Sequence, residues 1–271
     1  MRPVLAAGVA ALLALSASAA PANRPQHPFA ATAAINDLAS KTTAPLADHS
    51  EFAADQPFER VELTLGVMSR CPDAVLVETL LDRVLERKTT VVPGSPSVAQ
   101  LVDLRLEYIA VKNSSEQYEA TCKHGDIECK GNIQQLCAKR EWSSPSRIER
   151  ADPSGGPDLN VSFVQCLNYG ELSQIGTDRR ARECAKVVGH NWSEREEHCV
   201  AGKQGRKLLR KSVKRTHKLG VQKSATVLLG NRVICIHDGS WQDCPGGHEV
   251  SDFVRQIEDE FKRLNPGKKH K

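Results

Sequence analysis

Past its N-terminal leader the chain has no stretch approaching the ~20 consecutive apolar residues that a membrane-spanning helix needs, so no membrane span is expected. Charge of one sign is also scarce. A formal net charge of +4 over 271 residues is too mild to call for nucleic acid as a partner. No internal repeat is visible, which argues against a repeat architecture. Proline is missing from the whole interval between Pro157 and Pro245. An even cysteine count is lacking too: with nine cysteines, complete pairing leaves one thiol over.

The leader itself is informative. Arg2 supplies a positive start, Val4 to Leu15 is apolar, and Ala17-Ser18-Ala19 is a small-residue cleavage pattern, so residues 1–19 read as a secretory signal peptide. Arg2 leaves with it, and the formal charge of the remainder is +3. All nine cysteines lie beyond the leader, as suits an oxidising compartment where disulfides persist. Sequons at Asn113, Asn160 and Asn191 fit a glycoprotein. The chain closes on Lys268-Lys269-His270-Lys271 with no retention tetrapeptide, so secretion is the expectation, with a lysosomal or vacuolar lumen as the alternative.

Residues 20–57 are rich in Ala, Pro, Ser and Thr and show little periodicity, which predicts a disordered leader or pro-segment. One domain is expected over 58–265, then a basic tail over 266–271. Val61, Leu63, Leu65 and Val67 alternate with Glu62, Thr64 and Gly66, a strand with one buried face. Cys71-Pro72 follows, and Pro72 suits a first helical turn. Val77, Leu80, Leu81, Val84 and Leu85 then recur at helical steps. A second strand is read from Val102 to Ala110. Residues 113–220 carry six cysteines and read as a helical, disulfide-rich insertion. Gly230-Asn231 joins two short apolar runs as a hairpin, and Phe253 to Leu264 is a last amphipathic helix stopped at Pro266-Gly267.

Within the insertion, Cys122 to Cys137 reads CKHGDIECKGNIQQLC. Cys122, His124-Gly125, Glu128-Cys129, Asn132 and Cys137 stand at the offsets of C-Q-H-G-x-x-E-C-x-x-N-x-x-x-x-C, the signature of the gamma-interferon-inducible lysosomal thiol reductase (GILT) family. The chain resembles that family, with Lys123 departing from the signature's Gln. The resemblance implies an α/β thioredoxin-like fold and thiol–disulfide exchange on protein disulfides. It carries the nucleophile over to Cys71, in the strand–cysteine–helix setting in which such folds present a reactive thiol. Helix N-termini favour the thiolate, which is the attacking species. The family's second thiol, which resolves the mixed disulfide, is missing: Ala74 stands at that position. Thioredoxin-like reductases also place a cis-proline opposite the thiol, and here Lys223-Ser224-Ala225 occupies that loop.

Three local features have a functional and a plain reading. His124 with Cys122 and Cys129 suggests zinc, but the spacing matches no common finger and secretion favours disulfides, so no metal is expected. His124-Gly125 reads instead as a tight turn, and Glu128 and Asn132 as capping or hydrogen-bonding residues. His190, His198, His217 and His237 could each serve a cysteine-protease pair with Cys71, but none lies in a local signature. Lys203 to Lys218 reads as a basic helical face, either solvated or facing an acidic polymer or partner.

Two readings follow. One is a GILT-like thiol oxidoreductase with Cys71 as sole nucleophile, needing no cofactor. The other is a redox-inactive secreted binding module in which Cys71 is bridged or buried. Disulfide candidates are Cys122, Cys129, Cys137, Cys166, Cys184, Cys199, Cys235 and Cys244, which allow ~105 pairings.

Overall fold

The computed structural model describes residues 58–142 and 159–267. The signal peptide, the leader and the last four residues of the basic tail lie outside them.

Seven strands and seven α-helices occur among the described residues. β1 (Val61–Val67) leads into α1 (Pro72–Leu85), and α1 returns to β2 (Val102–Tyr108), which pairs parallel to β1. β5 (Thr226–Leu229) runs antiparallel to β1 on its other side. β6 (Arg232–His237) and β7 (Trp241–Gln242) extend the sheet, giving the order β2-β1-β5-β6-β7. The last helix, α7 (Val250–Leu264), follows. A parallel β-α-β unit joined edge to edge with an antiparallel β-β-α unit is a thioredoxin-like α/β fold.

Between the two units, β3 (Val111–Lys112) and β4 (Ala120–Thr121) form a small hairpin. Among the described residues five helices follow it: α2 (Asp126–Trp142), α3 (Leu159–Asn168), α4 (Asp178–Val187), α5 (Glu194–Ala201) and α6 (Lys203–Lys218). α5 starts on a capping box, in which Ser193 and Glu196 satisfy each other's first-turn donors. Trp142 stacks on His190 and meets Phe163 edge-on, forming a second small core with the α3–α4 pair.

β1 differs from the one-faced strand its alternation suggests. Thr64 is as fully buried as Leu63, and Gly66 is buried too. The reason is that helices cover both sides of this central strand. α7 packs against β1 and α1, while α6 packs on β2. Val221, just beyond α6, stands so close to Gly66 that a Cβ there would lie 2.3 Å from its Cγ1. Glu62, at the strand's start, is held by Arg215 of α6. A central strand buried on both faces reads as apolar or small at every position, so alternation understates its burial.

Candidate functional site

Cys71 is the N-cap of α1, with extended backbone angles (φ −87°, ψ 126°) and Pro72 at the first helical position. Its N–H donates to the Met68 carbonyl (2.9 Å), closing the turn from β1 into the helix. Across the site, Met68 N–H donates to Ser224 Oγ (3.0 Å) and the Cys71 Sγ lies 3.6 Å from the Ser224 carbonyl. The Ser224–Ala225 peptide bond is cis. The loop assigned from sequence to the position opposite the thiol is therefore opposite it.

The signature segment supports this turn from behind. Asn132 Oδ1 accepts from Ser69 N–H (3.0 Å), and the Glu128 carbonyl accepts from Ser69 Oγ (3.2 Å). A Cβ at Gly131 would sit 2.7 Å from Ser69 Oγ, so only glycine lets α2 approach this closely. The buried Glu128 carboxylate accepts the His124 N–H and pairs with the His124 ring. The Cys122–Cys129 bridge pins the start of α2 to the residues before it. Asn132 Nδ2 points at the Cys122 sulfur of that bridge, 3.7 Å away. On the outer side, Arg70 Nε donates to the Leu172 carbonyl (3.0 Å). Each neighbour of the thiol is thereby tied to a different part of the helical region.

Cys71 is the one free cysteine among the described residues, and it is 5% exposed. The other eight form four disulfides: Cys122–Cys129, Cys137–Cys199, Cys166–Cys184 and Cys235–Cys244. No bridge reaches Cys71, so the thiol is unpaired yet nearly closed off from solvent. The side chain at the resolving position, Ala74, is fully buried.

Sequence reasoning named His237 among the histidines but missed that Asp73 links it to the thiol. Asp73 Oδ2 lies 3.7 Å from the Cys71 sulfur. Its Oδ1 takes the His237 ring nitrogen at 2.6 Å and the Gly239 N–H at 2.9 Å. His237 therefore approaches the thiol through a carboxylate and does not touch it, unlike the imidazole of a cysteine-protease pair. Trp241 meets His237 edge-on and stacks against His248. The Cys235–Cys244 bridge closes the strap that carries His237 and Trp241. The signal that could have revealed this is the position of His237 at the end of β6, the second strand of the hairpin after the Ser224 loop.

One buried acid lies on α1 itself. Burial raises the Glu78 carboxyl to about 7, against a hydrogen bond from Asn168 that lowers it. Its other oxygen has no partner.

The remaining predicted sites are scattered. Asn191 is exposed and Asn113 half-buried, whereas Asn160 is buried within α3. A glycan at Asn160 would have to displace that packing. The Lys203–Lys218 helix has Lys207, Arg210, Lys211, Lys214 and Lys218 exposed. Among the described residues no helix is long and apolar enough to cross a membrane.

Residues 62–188 match the family model described as gamma interferon inducible lysosomal thiol reductase (GILT). Among curated proteins none matches. Similar solved structures include a thioredoxin-like oxidoreductase from Silicibacter pomeroyi DSS-3, with 13% identity and a TM-score of 0.44 over 77% of this chain and 90% of that one. The catalytic domain of Proteus mirabilis ScsC has 13% identity and a TM-score of 0.43 over 76% and 86%. A periplasmic thioredoxin-like protein from Salmonella enterica serovar Typhimurium has 11% identity and a TM-score of 0.42 over 74% and 83%. These likenesses are low, and the strand order and connections carry the fold assignment.

Proposed function

We propose, from the match of residues 62–188 to the GILT family model, that the chain is a GILT-family protein and exchanges disulfides of protein substrates with Cys71 as the single nucleophile. The family supports a thiol oxidoreductase role. The observation that carries the finer reading is the unpaired Cys71 at the head of α1, its sulfur facing the Ser224 carbonyl.

The thiolate attacks one sulfur of a substrate disulfide. A Cys71–substrate mixed disulfide forms and the other substrate sulfur leaves as a thiolate. With Ala74 in place of a second thiol, the mixed disulfide is resolved from outside. A low-molecular-weight thiol attacks the substrate sulfur, Cys71 leaves as thiolate, and the substrate carries the new mixed disulfide. Asp73 touches the reacting sulfur and places a negative charge beside it, while His237 and the Gly239 N–H draw that charge away. Entry of a substrate requires the nearly closed site to open.

GILT-family proteins are lysosomal or secreted, and we assign this chain to such a compartment on the leader, the sequons and the four bridges. Glu78, neutral in its buried site at acidic pH, suits an acidic lumen.

The burial of Cys71 and the loss of the second thiol favour a second reading, a redox-inactive binding module. One set of variants separates the two. Under the exchange reading, Cys71→Ser abolishes protein-disulfide exchange supported by a small thiol. Ala74→Cys, which restores the missing partner, increases the rate. A folded Ala74→Cys protein with no gain, together with a wild type no faster than Cys71→Ser, overturns the exchange reading.

A further inference from the structure

A groove of about 1320 Å³ runs between α6 and the β3–β4 hairpin. Its floor is apolar: Ile109 from the strand side, Leu208 and Val213 from α6, all half-buried. One wall is the α6 row Lys207, Lys211 and Lys214, and the opposite wall carries Lys112 and Lys123. All five lysines are exposed, and none has an ion-pair partner among the described residues. The one acidic residue in the lining, Glu119, is already engaged by Arg206 and Arg210.

Such a surface is selective in two respects. Five unneutralised cations around one cleft attract a negative ligand. The apolar floor gains only from a ligand that also carries hydrocarbon. The described lining contains no Trp, Tyr or Phe, so it offers no stacking platform for nucleic-acid bases. A purely anionic polysaccharide would leave the floor in water. An extended polypeptide in which acidic residues alternate with aliphatic ones satisfies both features. We propose that this groove binds acidic–aliphatic extended polypeptide segments.

The groove also reaches the site chemistry. Met68 lines it, and the Met68 carbonyl accepts the Cys71 N–H. A segment lying in the groove passes next to the turn that presents the thiol. Binding would then select which unfolded or flexible chains offer their disulfides to Cys71. That link to chemistry rests on the exchange reading above; the binding itself does not.

The test uses a fluorescently labelled, cysteine-free peptide of alternating Glu and Leu, titrated with the full protein carrying Cys71→Ser. Fluorescence anisotropy should report saturable binding that weakens as salt rises. Lys207→Glu/Lys211→Glu/Lys214→Glu should weaken it by about tenfold or more. Lys112→Glu/Lys123→Glu, on the other wall, should weaken it in the same direction and guards against a misfolded α6 variant. Undiminished binding by both folded variants overturns the proposal. So does equal affinity for polyglutamate or heparin, since either would mean a general polyanion site. Exchange with a small disulfide separates the two readings. If the groove proposal alone fails, that exchange persists in wild-type protein without peptide binding. If the exchange reading alone fails, peptide binding persists without it.

Discussion

Asp73 offers its two carboxylate oxygens to different partners, the thiol on one side and His237 with the Gly239 N–H on the other. Donors on the far oxygen hold the carboxylate in place and compete for it with the sulfur. Replacing His237 by Ala leaves the carboxylate held by Gly239 alone. Alkylation of Cys71 in the native protein should then slow by about tenfold, the size expected when one hydrogen bond to a carboxylate beside the sulfur is lost. Adding Asp73→Asn should recover most of the rate. Recovery distinguishes coupling through the carboxylate from simple disruption of the strap, which the second substitution would not repair. His237 was one of four histidines named from sequence, but its pairing with Asp73 was not legible. His237 stands 164 positions from Asp73, and only the closure of the sheet brings them together. The nucleophile was legible because strand, cysteine and Pro72 are local to one another.

At the scale of elements, the start of α2 acts as a buttress for the thiol turn. Ser69 is buried and gives its N–H to Asn132. Asn132→Ala removes the acceptor and strands a buried donor, which costs about 1–3 kcal/mol. Equilibrium denaturation should report that loss, and Cys71 should alkylate faster as the turn loosens. The family signature was readable as a string, and Glu128 and Asn132 as hydrogen-bonding residues. Their service to the turn was not, because Ser69 and Asn132 are 63 residues apart. The strands at 61–67 and 226–229 and the final helix were legible because their apolar spacing is local. The groove was not, because it needs the β3–β4 hairpin placed against α6.

α1 carries the clearest pH effect. The Glu78 carboxyl is raised to about 7 in the fold, through burial, and returns to about 4.3 when the chain unfolds. The folded state therefore binds more protons between these values. The Glu78 contribution to stability is complete below the unfolded value and is lost as pH rises through about 7. The loss is on the order of 3 kcal/mol. Denaturation at pH 5 and pH 8 should show the wild type weaker at the higher pH. Glu78→Gln, which cannot ionise, should flatten that dependence and gain stability at pH 8.

For the whole molecule, four disulfides and one free thiol form a consistent division of labour. Cys137–Cys199, Cys166–Cys184 and Cys122–Cys129 hold the helical region, and Cys235–Cys244 holds the strap beside the site. Each closed loop restricts the unfolded chain, so a scaffold of bridges can keep a reactive sulfur in a nearly closed site without tying it to another cysteine. The cysteine count predicted one spare thiol, but pairings are not deducible from spacing, and the fold shows that the spare one is the candidate nucleophile Cys71. The central claim is that this spare sulfur performs exchange. The most direct test is to incubate the native protein with a protein disulfide substrate, quench in acid, digest without reduction, and locate the mixed disulfide by mass spectrometry. The account predicts substrate attached to the peptide carrying Cys71, with the four bridges intact and the adduct released by a small thiol. Cys71 recovered in a bridge to another cysteine of the chain, or left as free thiol while substrate is reduced elsewhere, would contradict it.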